Sequence, residues 1–111
     1  MWMRMHKLMA IVTFSMLFGN GVAVAADYDT GFKAFQKGVF SIALAEWVPL
    51  AEQGDVDAQN SLAALYKFGL GVPKNAETAV KWYSLSAKQG DAAGQYGMGT
   101  MYANGEGVPE D

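Results

Sequence analysis

Residues Ala51–Asn75 (AEQGDVDAQNSLAALYKFGLGVPKN) and Ala87–Asp111 (AKQGDAAGQYGMGTMYANGEGVPED) are one segment written twice, 36 residues apart. Ten of 25 aligned positions are identical. They are Ala51/Ala87, Gln53/Gln89, Gly54/Gly90, Asp55/Asp91, Gln59/Gln95, Tyr66/Tyr102, Gly69/Gly105, Gly71/Gly107, Val72/Val108 and Pro73/Pro109. A period of this length belongs to solenoids, in which each unit buries its apolar face only against its neighbours. Architectures that need one closed core are thereby set aside.

The pattern around the repeat is helical. Apolar residues recur at steps of three and four within Tyr28–Gln36, Phe40–Gln53, Val56–Phe68, Ala76–Gln89 and Ala92–Ala103. Gly54-Asp55 and Gly90-Asp91 read as stop-and-cap pairs, a glycine closing one helix and a carboxylate accepting from the free N–H groups of the next. Asn75 takes the same capping role. Pro49 sits inside the second helix, where a missing N–H costs about 3 kcal/mol, so a kink or a break is expected. The expected fold is all-α, an α-α superhelix of antiparallel helix pairs. It divides into a degenerate first pair over 27–54, a full repeat over 55–90 and an incomplete repeat over 91–111.

The first 26 residues read differently. Arg4 and Lys7 precede an uncharged apolar run, Leu8–Phe18. Gly19-Asn20-Gly21 breaks that run, and Ala23-Val24-Ala25-Ala26 offers an A-x-A site. This is the layout of a secretory signal cleaved near Ala25 or Ala26, which places the mature chain in the periplasm or outside the cell. An uncleaved membrane anchor is the alternative, since Leu8–Ala26 is close to spanning length. With no Cys, a lipid anchor at cysteine is excluded.

From Asp27 onward six Lys face eleven acids, a net charge of −5. That balance repels phosphate backbones and disfavours nucleic acid as a partner. The one His, His6, lies in the signal segment, and there is no Cys anywhere. Disulfides are ruled out, zinc becomes improbable, and the usual general base is missing. No G-x-S-x-G or Ser-x-x-Lys occurs, and Gly69-x-Gly71 lacks the Lys-Ser/Thr of a phosphate loop. Glu106, Glu110 and Asp111 lack the spacing of a calcium loop. No catalytic residue, cofactor or metal is expected.

Two stretches carry a resemblance. Leu62–Asn75 fits L-(A/G)-x-x-Y-x-x-G-x-G-V-P-(K/E)-(N/D), and the segment around Trp82-Tyr83 leads to Ala87-Lys88-Gln89-Gly90-Asp91. Together they resemble the Sel-one-like repeat, a longer cousin of the tetratricopeptide repeat. The resemblance covers Ala43 to the C-terminus. It implies a right-handed superhelix and a role as adaptor or scaffold for another protein, often in exported bacterial proteins. Cysteine-rich relatives are associated with β-lactams. Binding or hydrolysis of β-lactams or cell-wall peptides is therefore an alternative, which the lack of Cys does not favour.

Positions that differ between the copies bear on binding. Asp57/Ala93, Asn60/Tyr96, Ala64/Thr100 and Lys67/Ala103 step by three and four residues and share one helix face. If first helices line a groove, Asp57, Asn60, Ala64, Lys67, Tyr96 and Thr100 form a partner-facing stripe. An ordinary solvated face fits the same pattern. Leu62/Met98, Leu65/Met101 and Tyr66/Tyr102 read as the packing face, Ala63/Gly99 as a close-approach point, and Trp82 and Tyr83 as filler between repeats. An uncovered fifth helix would expose Met98, Met101 and Tyr102 and invite self-association. A truncated remnant without independent function is the further alternative.

Overall fold

The computed structural model describes residues 25–108, and the candidate export signal lies outside them except for Ala25 and Ala26. Five helices follow one another: α1 (Tyr28–Gln36), α2 (Phe40–Glu52), α3 (Val56–Phe68), α4 (Ala76–Lys88) and α5 (Ala92–Asn104). Neighbours in sequence pack as antiparallel neighbours in space, and α3 also touches α5. This is an α-α solenoid with α1, α3 and α5 in one layer and α2 and α4 in the other. No helix among the described residues is long and apolar enough to cross a membrane.

The caps explain why the helices begin where they do. Asp55 accepts from the Ala58 N–H at 2.9 Å, Asn75 from Thr78 at 3.0 Å and Asp91 from Gly94 at 3.1 Å. Asp27 does the same for α1 through the N–H groups of Asp29 and Thr30. Gly69 and Gly105 end α3 and α5 in the left-handed conformation, at φ of 69° and 65°. Gln53 and Gln89 serve as C-caps, one residue beyond the regular helix.

The predicted disturbance at Pro49 is absent as a break, and α2 runs through it. Proline at 49 leaves the Ala45 carbonyl without its helical donor. Ala45 is an exposed residue, so the loss falls at the solvent side of α2 and not in its core-facing stripe.

The core is built from small residues that let helices approach and one large residue that fills the gap. Ala43, Trp47 and Ala51 of α2 interlock with Ala58, Leu62 and Leu65 of α3, all at most 1% exposed. The Trp47 indole N–H donates to the Tyr28 carbonyl at 3.1 Å, satisfying its polar atom inside the core. A Cβ on Gly31 would stand 2.5 Å from that indole nitrogen, so α1 can lie on Trp47 only with glycine there. Gln89 fastens the far end of the repeat. Its amide donates to the Gly54 carbonyl at 3.0 Å and to Gln59 Oε1 at 3.1 Å, while Gln59 donates to the Ala51 carbonyl.

The surroundings of α5 decide what its glycines do. A Cβ on Gly94 would meet Ala87 N at 2.6 Å, and one on Gly97 would meet the Tyr83 ring at 2.4 Å. They are the seats on which α4 rests. Gly99, expected to be a close-approach point like Ala63, has nothing within 4 Å. Met101 is fully buried like Leu65, as the packing face requires and not as an open edge would leave it, whereas Tyr102 is 58% exposed, as at an open edge, although Tyr66 packs on the core. The cause is one-sided cover. α4 lies against α3 and α5, and no described helix lies over the α5 face that carries Gly99 and Tyr102.

Candidate interaction groove

The layer of α1, α3 and α5 is joined sideways by side chains. Asn60 Nδ2 donates to Asp91 Oδ2 at 2.8 Å and Lys67 Nζ reaches Thr100 Oγ1 at 3.4 Å, both linking α3 to α5. The hydroxyls of Tyr28 and Ser61 meet at 2.9 Å, linking α1 to α3. Among the described residues no side-chain hydrogen bond joins α2 to α4. The lateral ties therefore lie in the layer of first helices, the inner wall, which the repeat pattern is expected to turn toward a groove.

Each residue of the stripe can now be placed. Asp57 is exposed in the first turn of α3, and Ala64 lies partly buried toward α1. Tyr96 stands 75% exposed on α5. Thr100 donates to the Gly97 carbonyl at 2.8 Å and so presents its lone pair to Lys67. Lys67 also lies over the Phe68 ring, 5.4 Å from its centroid. Asn60 donates to Asp91 through its amide nitrogen, while its buried Oδ1 has no partner among the described residues. Its amide, the Gly94 N–H, the Ser86 hydroxyl and the Ala93 N–H all favour ionised Asp91. Together they hold that carboxyl below its ordinary value, with the Asn60 bond as the largest cause. Asn60 and Lys67 therefore tie α3 to α5 through Asp91 and Thr100.

The stripe continues onto α1, where sequence reading did not follow it. The α1–α2 connection is Lys37–Val39, three residues, whereas α3 and α4 are joined by the seven residues Gly69–Asn75. An offset of 36 aligns α2 with α4, but α1 aligns with α3 at 32. Tyr28, Phe32 and Phe35 then stand where Asn60, Ala64 and Lys67 stand on α3. Their spacing of four and three was the available signal, hidden by the shorter loop. Tyr28 stacks on Trp47 at 5.4 Å and on Phe32 at 6.3 Å, and Phe35 tilts against Trp47 at 5.9 Å. Phe32 keeps 43% of its surface in solvent. Phe32, Phe35, Trp47, Ser61 and Ala64 bound a cleft of about 90 Å³.

Comparison with known proteins agrees with this geometry. The family model for the Sel1 repeat matches residues 56–91 and 92–111. The chain belongs to the Sel1 repeat family. A solved structure described as a Sel1 repeat protein from Oxalobacter formigenes is similar, with 34% identity and a TM-score of 0.72 over 77% of this chain. The chain spans 35% of the length of that protein. No curated protein gives a significant match. Sel1 repeats generally mediate protein–protein interaction, on a scaffold that is typically non-enzymatic.

Proposed function

We propose that this chain is an exported adaptor whose inner wall, formed by α1, α3 and α5, receives a segment of another protein. The observation that carries the reading is the division of labour along α3 and α5. Apart from Gln59, which bonds the Ala51 carbonyl, the positions of α3 and α5 that are buried against α2 and α4 are apolar or small, while those of the inner wall differ between repeats. The inner wall also leaves Phe32 and Tyr96 in solvent, and aromatic side chains are the common anchors of protein interfaces. Export is supported by the charged start, apolar run and A-x-A site at the N-terminus.

The test is capture by crosslinking from the exported fraction, with the Tyr96→Ala, Asp57→Asn chain as control. Both side chains are exposed and neither is a lateral tie, so the melting temperature should hold. A protein captured by the wild-type chain and lost with the variant supports the groove. The same capture by both chains contradicts it.

Self-association is a second reading, favoured by the exposed Tyr102 beside the open Gly99. Sedimentation of Tyr102→Lys against wild type separates it from the first, since that residue lies off the inner wall.

A further inference from the structure

We infer that Glu46 is the partner of the amino terminus that export creates, so that removal of the leader clamps the start of α1 onto α2. This rests on the export part of the reading above and adds what processing does to the fold.

One hydrogen bond carries it. The backbone N–H of Asp27, the N-cap of α1, donates to Glu46 Oε2 of α2 at 2.7 Å, across 19 residues of sequence. The same nitrogen lies beside the bonds that the A-x-A segment marks for hydrolysis, after Ala25 or after Ala26. A signal peptidase adds one water across such an amide. The C–N bond breaks, the leader departs as a carboxylate, and the nitrogen left on the chain takes up the protons that make it an ammonium at neutral pH. Cleavage after Ala26 turns the nitrogen that already bonds Glu46 into that ammonium. Cleavage after Ala25 places it one peptide unit earlier, about 3.8 Å along the chain. In both cases a charged donor arises beside a carboxylate, and charge-assisted bonds are roughly twice as strong as neutral ones.

The neighbours leave this role to Glu46. The Asp27 carboxylate is occupied, accepting from the Thr30 hydroxyl at 2.7 Å and from the N–H groups of Asp29 and Thr30. Those bonds, the Thr30 hydroxyl first, hold it below its ordinary value. An unpaired cation at a helix N-terminus is unfavourable, because the helix dipole is positive there. The charged groups around the new terminus are Asp27, Asp29 and Lys33 on α1, Glu46 on α2, and Asp57, which the offset of 32 sets on α3 level with residue 25. All but Lys33 are acids and favour the ammonium. The clamp also bears on the groove. Asp27 precedes Tyr28, whose carbonyl accepts from the Trp47 indole and whose hydroxyl meets Ser61. Fixing residue 27 to α2 therefore fixes the residue through which α1 grips α2 and α3.

The test uses the chain purified from the exported fraction, with its intact mass giving the cleavage point. The α-amine is titrated by its rate of reaction with an amine-directed reagent, read by mass spectrometry of the N-terminal peptide, with the exposed Lys88 as internal reference. An ordinary α-amine titrates at about 7.7–8.0. The folded wild-type chain should titrate above that range, and the same chain unfolded in urea should fall within it. Glu46→Gln keeps the size and an acceptor oxygen but loses the charge, and should return the folded chain to the ordinary range. At pH 7 its α-amine should label at least about threefold faster than wild type, since each unit of pKa is tenfold in free amine. Lys88 should label alike in both. An ordinary midpoint in the folded wild-type chain overturns the inference, and so does a raised midpoint that Glu46→Gln leaves in place. Either result from a chain that has lost its leader leaves the adaptor reading standing. A chain that keeps its leader overturns the clamp and the export reading together.

Discussion

Three glycines within six residues of α5 have different consequences because their surroundings differ. Glycine in a helix interior costs about 1 kcal/mol relative to alanine. At Gly99 a methyl group meets nothing within 4 Å, so Gly99→Ala should recover that amount and raise the melting temperature by roughly 4–8 °C. At Gly94 the same change drives a methyl to 2.6 Å from the Ala87 nitrogen, and backbone cannot move aside as a side-chain tip can. Gly94→Ala should therefore lower the melting temperature, and thermal unfolding of the pair checks the contrast. The Asn60–Asp91 tie gives a pH signature. A carboxyl held below its ordinary value, about 3.9, contributes stability that is present above that value and is lost as pH falls through the lower folded value. Asn60→Ala should raise the Asp91 titration midpoint, seen by carboxyl NMR. It should also lower the melting temperature more at pH 7 than at about pH 2.5, and an equal loss at both would contradict the tie.

At the scale of elements, the helices were legible because their punctuation is chemical. Asp55, Asn75 and Asp91 cap α3, α4 and α5 as their position before an apolar-periodic run implies. Removing one of these caps, as in Asp55→Ala, should cost about 1 kcal/mol in a denaturant melt without changing its slope. What stayed hidden depends on neighbours rather than on local pattern. Asn60 and Lys67 read as free polar residues because their partners, Asp91 and Thr100, lie 31 and 33 residues away. The aromatic end of the groove was missed because the three-residue loop shifts α1 out of the 36-residue register. Tyr102 reads like Tyr66, yet cover by a following helix, not the residue itself, decides its exposure. The stripe on α3 and α5 was visible because two copies could be compared.

For the whole molecule, the layer of α1, α3 and α5 is tied side to side, with aromatic side chains exposed at both ends of it, Phe32 on α1 and Tyr96 on α5. Trp47 is its keystone, touching α1 through Tyr28 and Phe35 and packing with α3 in the core cluster. Trp47→Ala removes this plug, and such losses cost about 3–5 kcal/mol, a large share of the stability of a small domain. Circular dichroism should show cooperative melting lost or sharply lowered. A shallower depression of about 250 Å³, lined by Thr30, Lys33, Ala34, Lys37, Val39 and Ile42, lies at the α1–α2 end. Its α1 residues lie across the helix from Tyr28, Phe32 and Phe35, so it is separate from the groove.

The central claim is that the inner wall is where another protein binds, and site-specific photo-crosslinking tests it most directly. A photoreactive residue placed in turn at Phe32, Ala64 and Tyr96, and at the exposed Lys81 and Lys88 of α4, compares the inner wall with the opposite layer. The account predicts one common crosslinked species from the three inner positions and none from the two on α4. Crosslinks of equal yield from both layers, or from α4 alone, would contradict it.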